Sequence, residues 1–71
     1  MNLREYIERA TGNAATRTNP YIRRIAMMSQ SSDETVYSIV IGRRHASRQL
    51  AERIHRATDG YVKPNEVMRD R

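Results

Sequence analysis

Cysteine is absent from this 71-residue chain, so neither a disulfide nor a thiolate-held metal can staple it. A reducing, cytosolic setting fits that absence. Glycine occurs three times and proline twice, and each falls where a helix is expected to start or stop. No segment approaches the apolar length of a membrane span, and the N-terminus lacks the apolar core of a signal peptide. Serine, histidine and aspartate occur, but no glycine-flanked nucleophile turn accompanies them. His45 and His55 have no cysteine or carboxylate cluster nearby, so a zinc site is not expected. The chain reads as neither an enzyme nor a cofactor protein. Its length allows one domain, taken as 1–68, with 69–71 as a tail expected to fray.

What is present is positive charge. The net charge is +5, and all but one of the 13 basic residues are arginine. Residues 1–36 carry five basic and four acidic groups, whereas residues 37–71 carry eight and four. The positive excess therefore gathers in the second half. A nucleic-acid backbone is the natural partner of such a field, with an acidic protein surface next. Arginine favours bidentate phosphate or guanine contacts, although a GC-rich genome produces the same bias.

Apolar spacing and capping residues predict four helices. Asn2 with Glu5 forms a capping box, Leu3, Tyr6, Ile7 and Ala10 share one face, and Gly12 ends the helix. Residues 12–19 read as a loop. Asn19-Pro20 opens a second helix that buries Ile22, Ile25, Ala26 and one of Met27 or Met28. After the polar break Ser29–Ser32, Ser31 with Glu34, or Ser32 alone, caps a third helix over about 32–41. Val36, Ile39 and Val40 form its stripe and Gly42 its stop. The β-branched run T-V-Y-S-I-V-I favours a strand by local propensity, but a strand there would have no partner elsewhere in the chain. Ser47 caps a fourth helix with Leu50, Ala51, Ile54 and Ala57 inside, closed by Asp59-Gly60. Pro64 opens a last turn that packs Val67 and Met68 back. Arg53, His55 and Arg56 are expected outside, with Glu52 supporting Arg56.

Ser31–Ser47 is the most informative stretch: a capped helix, a glycine stop, then two arginines and a histidine. Two helices separated by a short break, the second followed by basic residues, fit a helix-turn-helix. A major groove about 12 Å wide admits one helix, so one outward face suffices to read bases. With Val36, Ile39 and Val40 inside, that face offers Glu34, Thr35, Tyr37, Ser38 and Ile41, with Ser32 and Asp33 at its leading end. The hydroxyls of Ser32, Thr35, Tyr37 and Ser38 can contact phosphates or base edges. Arg43, Arg44, His45 and Arg48 are placed to grip the phosphates beyond. Asp33 and Glu34 suit a helix N-terminus. Glu34 can instead accept from a cytosine amino group, or the acidic pair can meet a protein. Tyr21 and Tyr37 at helical spacing read as half-buried core rather than a stacking platform.

Over nearly its whole length the chain resembles the small Cro-type helix-turn-helix regulators of phages and prophages, including the YdaS-like group. The resemblance is carried by L-R-E-Y-I at the start and by I-A-x-x-x-x-x-S-x-x-x-V-x-x-I-x-x-G-R-R through the motif. It continues as S-x-x-L-A-x-R-I-x-x-A-T-D-G-x-V-x-P-x-x-V. It implies an all-α, lambda-repressor/Cro-like fold of four short helices with a short C-terminal tail. Ala26 then takes the small-residue position of the first motif helix, and Val36 and Ile39 the buried positions of the recognition helix. Ser32 to Ser38 fall on the contacting segment and Arg43-Arg44 on the basic wing. The departures are Gln30 where the family carries a turn glycine, Ser29 and Ser31 flanking it, and the acidic Asp33-Glu34.

The expectation is a transcription regulator that binds double-stranded operator DNA, with a homodimer as one arrangement and Ile41 and Met68 as candidate seam residues. The alternative is a phage regulator on the same scaffold that binds host RNA polymerase through protein contacts, inhibiting initiation or promoting antitermination. The altered turn and the acidic helix start motivate it.

Overall fold

A computed structural model describes residues 1–68; the tail expected to fray, 69–71, lies outside the described residues. Four α-helices follow in order, α1 (Leu3–Thr11), α2 (Pro20–Met28), α3 (Asp33–Val40) and α4 (Arg48–Ala57), and a 3-10 turn spans Pro64–Glu66. No strand forms among the described residues. An isolated bridge joins Ala46 to Met68, with the Ala46 amide donating to the Val67 carbonyl at 2.7 Å.

Four side chains supply the caps that an isolated helix start requires. Asn2 accepts from the Glu5 amide at 2.7 Å and Asn19 from the Tyr21 amide at 2.9 Å. Ser32 accepts from the Thr35 amide at 3.1 Å and Ser47 from the Leu50 amide at 3.2 Å. The capping box on α1 is only half made, because the Glu5 carboxylate faces Arg9 at 3.8 Å. Ser32 alone caps α3; Ser31 spends its hydroxyl on Ser29.

The β-branched run of α3 is helical because one face of it closes the core. Val36, Ile39 and Val40 pack with Leu3 and Ile7 of α1, Ile22, Ile25 and Ala26 of α2, and Ala51, Ile54 and Ala57 of α4. Val62 and Val67 join them from the C-terminal segment, and Leu50 and Met68 pack at the edge. Tertiary burial overrides local propensity here.

Two core expectations fail: α2 buries neither of its two methionines, and Ala10 lies outside. Met27 and Met28 of α2 are 73% and 52% exposed. The fourth inward position of that helix, after Ile22, Ile25 and Ala26, falls on Ser29, which is fully buried and donates to the Ile25 carbonyl at 2.6 Å. Ala10 is exposed too; its methyl edges a hollow lined by Tyr6 and Tyr61 instead of lying beneath another helix.

Candidate nucleic-acid interface on helix α3

The inward stripe of α3 leaves Glu34 and Ile41 exposed and Thr35, Tyr37 and Ser38 half-buried, all on the outward side as expected. Ser32 and Thr35 share a hydroxyl–hydroxyl hydrogen bond of 2.9 Å at the leading end. Beyond α3 the chain turns back on itself. Gly42 sits at φ 82°, a conformation strained for any side chain, and the amides of Arg43 and Arg44 then both donate to the Ser38 carbonyl, at 2.9 and 3.2 Å. The turn starts both arginines beside Ser38. Arg44 completes the arrangement by donating from Nη1 to the Thr35 hydroxyl at 3.3 Å. Ser32, Thr35 and Arg44 are thus linked in one exposed polar row.

The acidic start of α3 is not bare. Arg23 Nε lies 3.4 Å from the Asp33 carboxylate, and Arg17 Nη2 lies 3.6 Å from Glu34. Both pairs are solvent-exposed, and such pairs contribute roughly 0–1 kcal/mol, so either guanidinium can exchange its carboxylate for a phosphate at little cost. The Arg17 guanidinium also lies over the Tyr37 ring, 5.1 Å from its centroid. Tyr37 is half-buried against the core, as its helical spacing predicts, with that cation on its face.

His45 and Arg48 are exposed on either side of Ala46, which the bond to Val67 holds in place. Arg48 is the first residue of α4, whose first turn contains no acidic residue. The helix dipole disfavours a cation at that end, so Arg48 and the α4 amide dipoles reinforce one positive field. His55, expected outside, is corrected. It is half-buried, with Nδ1 3.0 Å from the Val62 carbonyl, a contact that anchors the segment after α4. No ion pair joins Glu52 to Arg56 among the described residues; the i,i+4 pairs form on α1 instead, between Arg4 and Glu8 and between Glu5 and Arg9.

Arg17 and Arg23 were missed from sequence. Arg23 was accessible in principle, since α2 exposes it beside a short turn leading to Asp33. Nothing local marks Arg17, because only the path of the 12–19 loop carries it to Glu34 and Tyr37.

The turn between α2 and α3 runs through Gln30 at φ 59°, the left-handed conformation that favours glycine. The Ser31 amide donates to the Ala26 carbonyl at 2.8 Å, closing the end of α2. The serines flanking Gln30 are bonded to each other at 2.9 Å and form a satisfied polar pair.

No group of three or more His, Cys, Asp or Glu gathers among the described residues, and no helix there is long and apolar enough to cross a membrane. No protein-family model, curated protein or solved structure significantly matches the chain. The geometry of the site therefore carries the functional reading.

Proposed function

We propose that the chain is a small transcription regulator that binds double-stranded DNA, with α2 and α3 acting as a helix-turn-helix and α3 entering the major groove. The observation that carries this reading is the exposed row Ser32–Thr35–Arg44, with Ser38 and Arg43 alongside, on a short helix that is buried only on its opposite side. Hydroxyls on the groove face suit base edges and phosphate oxygens alike, and guanidiniums at the end of the helix suit the strand beyond.

In this reading Arg43, Arg44, Arg48 and His45 hold phosphates and fix the register. Thr35 and Ser38 read base edges. Arg17 and Arg23 restrain the two carboxylates and turn toward phosphate when the duplex approaches. A dimer on a two-fold site would place two such helices about 34–36 Å apart. RNA polymerase as the main partner drew support from an acidic helix start and a damaged turn. The carboxylates are balanced by arginines, and the turn closes with its bonds satisfied, so DNA is the better-supported partner.

Selection from a random duplex pool tests the proposal. Recovery of a shared short motif, lost in Thr35→Val, supports it. Recovery of no common motif, together with capture of RNA polymerase by the chain, would replace it with the polymerase reading.

A further inference from the structure

Away from α3, the outer surface of α1 and α2 carries a row of aromatic and methionine side chains. Tyr61, 62% exposed, stacks on Tyr6 with ring centroids 6.1 Å apart and an interplanar angle of 30°. Tyr6 lies 6.4 Å from Tyr21, and the Arg24 guanidinium sits 5.4 Å over the Tyr21 ring. Met27 and Met28 extend the row along α2. Met27, Met28 and Tyr61 are three of the four large apolar side chains that the described residues expose; the fourth is Ile41. In a domain this small, gathering them on one surface marks an interaction site more than a scatter of solvent-facing residues. Methionine also adapts its shape to a partner.

Charge identifies the partner. Two shallow hollows lie along the row, one lined by Tyr6, Tyr61 and Arg9, the other by Tyr21, Met27, Met28, Arg23 and Arg24, and no acidic residue lines either. Arg24 makes no ion pair among the described residues, while Arg9 and Arg23 hold only exposed ones. A second copy of the chain would set arginine against arginine across a two-fold axis, which opposes self-association. A segment with apolar side chains on one face and carboxylates beside them would fill the row and neutralise the guanidiniums.

We propose that this surface docks an acidic amphipathic helix of a partner protein, laid across α2 with its apolar side chains on Met27, Met28 and Tyr21. Its carboxylates meet Arg24, Arg23 and Arg9. The inference does not rest on the DNA-binding reading, and the two sites touch only at Arg23.

The test is an NMR titration of the full chain with a synthetic amphipathic helical peptide bearing leucines on one face and glutamates on the other. A second peptide carries lysines in place of the glutamates. The glutamate peptide is expected to shift the Met27 and Met28 methyls and the Tyr21 and Tyr61 signals, and the lysine peptide is not. The paired change Met27→Ser with Met28→Ser, on exposed positions, should weaken binding about tenfold with helical ellipticity retained. Arg24→Glu should weaken binding of the glutamate peptide and narrow its preference over the lysine peptide. Shifts centred on Ser32–Ser38 and Arg43-Arg44, or no shifts at any concentration, would overturn the proposal. So would concentration-dependent shifts of the same residues in the chain alone, which would assign the surface to a second copy. A parallel titration with duplex DNA reads on α3, so failure of either proposal is visible separately.

Discussion

Arg44 donates to the Thr35 hydroxyl at 3.3 Å, so the loop after α3 is fastened to the first turn of the helix that it follows. The two residues occupy different roles in the proposed complex, and substitution should separate them. Arg43→Ala with Arg44→Ala should lower affinity for all duplexes alike and make the salt dependence shallower by about 2 in logarithmic slope. Thr35→Val and Ser38→Ala should change the ranking of sequences and leave that slope nearly unaltered. Competition binding with a panel of duplexes at several salt concentrations distinguishes them.

Gln30 occupies a left-handed position at φ 59°. A side chain there is strained by roughly 1 kcal/mol, partly offset in a glycine variant by the entropy that glycine gains when unfolded. Gln30→Gly should raise stability by about 0.5 kcal/mol in urea unfolding with an unchanged m-value. A loss of stability would show that Gln30 makes a contact that outweighs its backbone strain.

Thr58 is fully buried, donates to the Ile54 carbonyl at 2.9 Å and accepts from the Val62 amide at 3.2 Å. Thr58→Val keeps the shape but leaves that amide without its acceptor, a loss of about 1–3 kcal/mol. Thr58→Ser keeps the hydroxyl and should cost less than Thr58→Val. Thermal unfolding of both variants checks the order.

Burial raises the pKa of Tyr6 above its ordinary value of 10.0, with Tyr21 and Asp59 adding to the rise. The folded form therefore holds its phenol proton more tightly than the unfolded form. That contribution is complete below the unfolded pKa and disappears as pH climbs through the folded one. Stability should fall from about pH 10 upward, and Tyr6→Phe should make the fall shallower. Denaturant titrations between neutral and strongly alkaline pH supply the comparison.

The helix starts were legible because each rests on a side chain that bonds the backbone two or three residues on. Asn2, Asn19, Ser32 and Ser47 all do so. The third helix was legible despite its strand-like composition, because a strand there would have no partner and Val36, Ile39 and Val40 form a helical stripe. Contacts that depend on how distant segments meet were not legible. Periodicity could not tell that Ser29, and not Met27 or Met28, completes the inner face of α2. The position of Arg17 over Tyr37, the stacking of Tyr6 on Tyr61, and the burial of Ala15 and Val62 in irregular segments all arise from chain paths without a local signature. The candidate site divides the same way: the hydroxyls and Arg43-Arg44 were visible in the sequence, whereas the arginines that balance Asp33 and Glu34 were not.

The most direct test of the central claim is the anisotropy of a labelled duplex titrated with the protein from low to high salt. Phosphate contacts by Arg43, Arg44 and Arg48, joined by Arg17 and Arg23, predict measurable binding at low salt. They also predict a logarithmic slope of about −4.5 against salt concentration. Absence of binding at low salt by protein of undiminished helical ellipticity, or binding insensitive to salt, would contradict it.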